Sequence, residues 1–189
     1  MRETAIVLSH SLFATPSAKT AHGLIRGPSR YDIVGLIDEL GAGHDAGELL
    51  DGRSRGIPTF ASVEQAVARL PRKPAWCVVG VATSGGVLPE ELRTVLLGVL
   101  ERGIGVVNGL HEILSDDEAF RVAAARGGAR IVDIRKPKKR AELHFWTGAI
   151  EQVRAPRIAV LGTDCALGKR TTCQLLAAAC RTRGIAAEV

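Results

Sequence analysis

A chain of 189 residues that is 46% apolar and 24% charged can bury one full core and part of another, which excludes global disorder. No apolar run approaches the roughly 20 residues that cross a bilayer, and Met1-Arg2-Glu3-Thr4 leads into a short strand instead of a secretory leader, so a cytoplasmic location without a membrane partner is expected. The four cysteines, Cys77, Cys165, Cys173 and Cys180, form no C-x-x-C pair, which argues against a zinc site or a disulfide framework and leaves reduced thiols.

Short β-branched runs alternate with helical patterns, the signature of βαβ units around a mostly parallel sheet. Strands are predicted at residues 5–8 and 33–37. Ser62-Val63-Glu64-Gln65 reads as a capping box, in which the serine hydroxyl accepts a backbone N–H of the first turn and Gln65 reaches back. That helix runs to Leu70, just ahead of Pro71. A strand at 76–81 precedes the clearest helix, residues 89–102. Its proline is pre-set for a first turn, and Leu92, Val95, Leu96, Val99 and Leu100 recur at the spacing of one buried stripe. Gly103 supplies a left-handed stop, and a strand follows at 104–107. Ser115-Asp116-Asp117-Glu118 repeats the capping logic with acids in the first turn, Gly127-Gly128 ends that helix, and a strand at 131–133 follows.

The segment from 135 to 156 breaks the alternation. Five of the six positions in Arg135-Lys136-Pro137-Lys138-Lys139-Arg140 are basic and contribute to the net charge of +5. A solvated linker or a phosphate-bearing ligand accounts for them; nucleic acid is not expected, because no aromatics interleave the charges. The predicted organisation is α/β throughout: a Rossmann-like parallel-sheet domain over residues 1–134, a linker or crossover over 135–156, and the truncated beginning of a P-loop NTPase-like domain over 157–189.

A strand at 157–161 is predicted to enter Gly162-Thr163-Asp164-Cys165-Ala166-Leu167-Gly168-Lys169-Arg170-Thr171-Thr172, followed by an apolar helical run. Strand, glycine-bounded loop and helix point successive backbone N–H groups at a phosphate, and Lys169 would add a point charge on its outer oxygens. The strict spacing G-x-x-x-x-G-K followed by Ser or Thr would need glycine at Thr163 and a hydroxyl at Arg170. The hydroxyls come one residue later, so Thr171 is a magnesium ligand only if the loop is one residue longer than standard, and Arg170 is available to bind phosphate itself. Cys165 is read as a loop filler, since no histidine is near it in sequence. Residues 185–189 look like a second strand of this domain, and the later acidic strand that a P-loop fold uses for its metal is not present. The expectation is a fragment that does not turn over alone.

Ligands of open α/β sheets bind beyond the carboxyl ends of the strands. That rule selects Ser9-His10, Asp38, Thr83-Ser84-Gly85-Gly86 and Asn108-Gly109-Leu110-His111-Glu112. Asp38 stands where a dinucleotide fold holds a ribose, but no G-x-G-x-x-G follows the first strand, so nicotinamide is not expected. Ser84, Gly85 and Gly86 form either an anion nest or a plain turn. His111 and Glu112 make an acid–base pair if both face the cleft; adjacent side chains usually diverge, which would leave a structural histidine. His10 and His22 carry the same ambiguity, and His44 and His144 read as loop or surface residues.

These residues together resemble a bacterial and archaeal family in which a Rossmann-like domain precedes a P-loop domain and whose characterised branch is D-glutamate N-acetyltransferase. The resemblance lies in Gly23-Leu24-Ile25-Arg26 with Val34-Gly35-Leu36-Ile37-Asp38, Gly85-Gly86-Val87-Leu88-Pro89, Val107-Asn108-Gly109-Leu110-His111-Glu112 with Leu114-Ser115-Asp116-Asp117, Asp133-Ile134-Arg135-Lys136-Pro137, and the phosphate loop with its displaced threonines. That loop is also similar to the loop of dethiobiotin synthetase, which places threonine directly after the lysine. Ile57-Pro58-Thr59-Phe60 running into Ser62-Val63-Glu64-Gln65-Ala66-Val67 resembles the coenzyme-A-binding domain of succinyl-CoA synthetase. The resemblance implies acetyl transfer from acetyl-CoA to the amine of D-glutamate or a similar acidic amino acid, with His111 or Glu112 as base and the phosphate loop gripping coenzyme A or ATP, the latter with Mg2+. A homo-oligomer is expected. An ATP-dependent ligase and a non-catalytic nucleotide-binding module are the competing readings.

Overall fold

Six short strands pair in parallel in a computed structural model of the chain: β1 (Thr4–Leu8), β2 (Asp32–Ile37), β3 (Thr59–Phe60), β4 (Trp76–Val79), β5 (Gly105–Asn108) and β6 (Ile131–Asp133). Their order is β3-β2-β1-β4-β5-β6, the doubly wound arrangement whose strand order reverses between β1 and β4. The structure describes residues 2–164 and 167–189, without the side chain of Ser84. It divides into two units, Met1–Lys138 and Lys139–Val189.

Alternation of strand side chains gives the sheet two buried faces. Ile6, Leu8, Ile37, Cys77, Val79 and Val106 face one layer, where α3 (Val63–Arg69), α4 (Glu90–Glu101) and α5 (Glu118–Gly127) contribute Val63, Leu92, Leu96, Val99, Leu100 and Phe120. Val7 and Leu36 face the other, under α1 (Lys19–Arg26) and α2 (Ala46–Asp51). The α4 stripe is as the periodicity predicts, with Val95 half-buried. Pro89 is the residue before the helix, with extended backbone, and not part of its first turn. Ser62 caps α3 by accepting from Gln65 N, while the Gln65 side chain takes the N–H of Ala61. The cap of α5 is Asp117, which accepts from Ala119 and Phe120, whereas Ser115 sits in the preceding 3-10 turn, Leu114–Asp116.

One predicted strand end is corrected, one strand was not predicted, and two predicted strands do not form. β4 ends at Val79, two residues early, because Gly80 turns its carbonyl to Ala21 N at 2.8 Å. A Cβ on Gly80 would lie 2.7 Å from Val7 Cγ1 and 2.9 Å from Ala21 Cβ, so only glycine lets α1 approach here. β3, directly after Pro58 and two residues long, was too short to show alternation. The predicted strands at 157–161 and 185–189 do not form among the described residues of the second unit, which contains 3-10 turns at Arg140–Glu142 and Ala149–Gln152 and the helix α6 (Lys169–Thr182). A parallel strand needs a neighbour to pair its N–H and C=O groups. Among the described residues of the second unit no strand pairs with 157–161, where Ile158 and Leu161 are 80% and 87% exposed.

Asp45 fixes the link between α2 and β3. Its Oδ1 accepts from the N–H groups of Gly47, Glu48 and Arg55, and Oδ2 from Ile57 N at 2.8 Å. Burial alone would raise this carboxyl, but the four backbone donors together hold it below its ordinary value. A group shifted down in the folded state stabilises fully above its unfolded value and loses that contribution as the pH falls through the folded one. Asp45→Ala is expected to cost about 2 kcal/mol in urea unfolding at neutral pH, and the difference from wild type should shrink in acid.

Candidate functional site

At the carboxyl ends of β4 and β5, beside the reversal point of the sheet, lies a crevice of about 330 Å3. Its walls include Lys19 at the opening of α1, Gly85 and Gly86, His111, and Arg135. No aspartate or glutamate is among the residues that line it. A larger cavity, about 540 Å3, lies between α3 and α4, with Glu39, Glu64 and Glu101 among its lining residues. The one arginine there, Arg102, is paired with Glu64 at 2.6 Å. Of these two cavities, the smaller one is the one that offers matching charge to an anionic ligand.

The loop that carries His111 is held from the ends of two adjacent strands. Asn108 and Asp133 are cross-strand partners in the β5–β6 register. The fully buried Asn108 donates through Nδ2 to Glu112 O at 2.7 Å and to Asp133 Oδ1 at 2.8 Å, and its Oδ1 accepts from Leu110 N at 3.0 Å. Asp133 also accepts from Leu114 N at 3.0 Å and Ser115 N at 2.9 Å. Burial pushes the Asp133 carboxyl up, but the Asn108 amide and the Ser115 and Leu114 donors outweigh it and hold the group ionised below its ordinary value. Arg135 ties the same loop from outside, Nε donating to Gly109 O at 2.7 Å. Lys136 bonds Ser115 and Asp116.

Gly85 and Gly86 both have left-handed backbone, φ 66° and 69°. The Gly86 carbonyl accepts from His111 N at 3.0 Å and Glu112 N at 3.4 Å, and a Cβ on Gly86 would overlap the His111 ring. The glycine turn and the histidine loop are thus interlocked. His111 lines the crevice, and among the described residues no group bonds its imidazole.

Glu112 is not its partner. Its Oε2 accepts from Leu88 N at 3.0 Å and its Oε1 lies 3.7 Å from Arg93, which also pairs with Asp117. The two side chains diverge, as adjacent residues usually do: His111 lines the crevice and Glu112 turns toward the start of α4. Asp38, expected to hold a ribose, is 2% exposed. Its carboxylate already accepts from Ser9 Oγ at 2.8 Å, Phe13 N at 3.0 Å and Gly41 N at 3.0 Å. Here it pins the loops after β1 and β2. His22 is structural, its Nε2 2.6 Å from Phe13 O and its ring edge-on to Phe13. Cys77 is an inert core thiol, pushed up to about 12 by burial.

In the second unit the phosphate-loop residues gather at the start of α6. Gly168 has φ 84° before the helix, Lys169 Nζ donates to the Asp164 carbonyl, and the Lys169 stem covers Gly162. The Thr172 hydroxyl is spent on Gly168 O at 3.1 Å. Thr163, Arg170 and Thr171 are exposed, and Cys165 lies outside the described residues. Sequence reasoning missed Lys19 and the bracing role of Asp133. The signal for the latter was two polar residues, Asn108 and Asp133, each closing a β-branched run.

Residues 40–137 match the family described as "Domain of unknown function (DUF1611_N) Rossmann-like domain", and residues 144–189 match "Domain of unknown function (DUF1611_C) P-loop domain". A D-glutamate N-acetyltransferase from Tritonibacter scottomollicae is 32% identical over 108 residues, 57% of this chain and 31% of that protein. Another from a Pseudoalteromonas species is 31% identical with the same coverage. A crystal structure of a DUF1611 family protein from Anabaena variabilis superimposes with TM-score 0.83 at 32% identity, over 97% of this chain and 51% of that one. The matched stretch spans about a third of the length of the curated relatives.

Removing the Asp133 carboxylate leaves three buried or half-buried donors unpaired. Asp133→Ala should cost about 2–3 kcal/mol in denaturant unfolding. Faster hydrogen exchange at the Leu114 and Ser115 amides, with β1 amides unchanged, is the expected local signature.

Proposed function

This chain belongs to the DUF1611 family, with a Rossmann-like domain followed by a P-loop domain, and on that premise we propose that it serves an N-acetyltransferase that moves acetyl from acetyl-CoA to the amine of D-glutamate or a similar acidic amino acid. The observation that carries this reading is His111: an imidazole on a braced loop, without a hydrogen-bond partner among the described residues, at a crevice lined by cations and by no carboxylate. The activity named for the two curated relatives supports it.

Acyl transfer to an amine needs a base for the ammonium proton. His111 takes that proton and passes it to solvent, and the freed amine attacks the thioester carbonyl carbon. Collapse of the tetrahedral adduct breaks the C–S bond, the adduct nitrogen gives up a second proton through His111 to the departing sulfur, and coenzyme A leaves as the thiol. Glu112 contributes by tethering the start of α4 through Leu88 N, not by proton transfer. The loop at Gly162, Thr163, Asp164, Gly168, Lys169, Arg170, Thr171 and Thr172 fits a phosphate ligand, because the Lys169 amine already lies on a loop carbonyl that a phosphate oxygen replaces. The phosphates of coenzyme A are its proposed occupant. If ATP with Mg2+ occupied the loop instead, the exposed Thr171 hydroxyl would be the group to hold the metal.

Thiol release from acetyl-CoA tests this reading, followed with D-glutamate, L-glutamate or no amino acid. Release that depends on D-glutamate is the expected result, falling about 100-fold or more in His111→Gln, with Lys169→Ala raising KM for acetyl-CoA. Absence of release with every amino acid, alongside ATP cleavage that depends on the acidic substrate, would transfer the assignment to a ligase.

A further inference from the structure

We infer that Lys19 and Arg135 form an anion subsite in the switch-point crevice beside His111, receiving a carboxylate or phosphate group of the ligand. Both line the crevice, both are exposed, and they belong to segments far apart in sequence, the opening of α1 and the stretch after β6. Arg135 is not a loose surface arginine. Its Nε is anchored on Gly109 O at 2.7 Å, which orients the guanidinium plane, and among the described residues its two terminal nitrogens bond nothing. A guanidinium fixed in this way offers paired N–H donors that match the two oxygens of a carboxylate or phosphate. Lys19 adds a mobile point charge with no ion-pair partner among the described residues.

The neighbouring carboxylates do not neutralise this pair. Asp133 accepts from Asn108 and two loop amides, Glu112 faces Leu88 and Arg93, and Asp38 is buried under its own donors. Val79, Val81, Ala82 and Leu110 belong to the apolar part of the wall. The crevice between α3 and α4 has the opposite character, three glutamates and an arginine already paired. Assigning the anion to the acceptor's carboxylate rests on the acetyl-transfer reading. Anion binding itself does not, and is measured without turnover.

The test titrates the protein calorimetrically with glutarate, its neutral isostere glutaramide, and pyrophosphate, in wild type, Lys19→Gln, Arg135→Gln, the double variant and Lys169→Ala. Glutarate binding that glutaramide does not reproduce, weakened about tenfold by each single change and abolished in the double variant, is the expected result. Arg135→Lys, which keeps the charge and loses the fork, should retain part of the affinity and shows that loss in Arg135→Gln is not unfolding. Pyrophosphate binding that is lost with Lys19 and Arg135, and not with Lys169, also supports the subsite and assigns it to the donor's phosphates. No anion binding to the wild type, or anion affinity unchanged in the double variant, overturns it.

Discussion

A loop at the carboxyl edge of a parallel sheet has no ladder to hold it, and here the buried amide of Asn108 and the carboxylate of Asp133 supply the missing restraint. The two side chains close adjacent strands in register and between them bond Leu110, Glu112, Leu114 and Ser115. Fixing those backbone groups fixes His111, whose own N–H then binds the Gly86 carbonyl. It also aims Glu112 at Leu88 and Arg93. The shape of the crevice follows from this one polar pair, which is satisfied at every site and so avoids the penalty of a buried polar group left unpaired.

The distribution of charge has the same origin. Asp38, Asp45, Asp133 and Glu112 spend their oxygens on backbone donors, holding turns that the sheet cannot hold. Among the described residues the cations at the switch point have no carboxylate partner, while the cavity between α3 and α4 keeps its glutamates. Structural use of carboxylates in one set of loops thereby creates a positive crevice beside a histidine, an arrangement suited to an acidic substrate.

Much of the fold was legible because its signals are local. The stripe of α4, the left-handed stop at Gly103 and the cap at Ser62 each depend on residues within a few positions of one another. The candidate site was legible only as a set of strand ends. That His111 and Glu112 part company, that Asp38 is consumed internally, and that Asp117 displaces Ser115 as the cap of α5 depend on which distant amides arrive at each side chain. β3 is two residues long and carries no periodicity. The runs at 157–161 and 185–189 have strand composition, but composition does not supply a neighbour, and both lie outside any sheet among the described residues.

Among the described residues, the phosphate loop and the switch-point crevice each offer a cation to an anion, and the crevice also sets the His111 imidazole beside its cations. The most direct test of that assignment is a crystal structure of the protein soaked with N-acetyl-D-glutamate. Density for the product in the crevice, with its amide nitrogen beside the His111 imidazole and a carboxylate toward Arg135, is the expected result. Product bound between α3 and α4, or anywhere out of reach of His111, would contradict it.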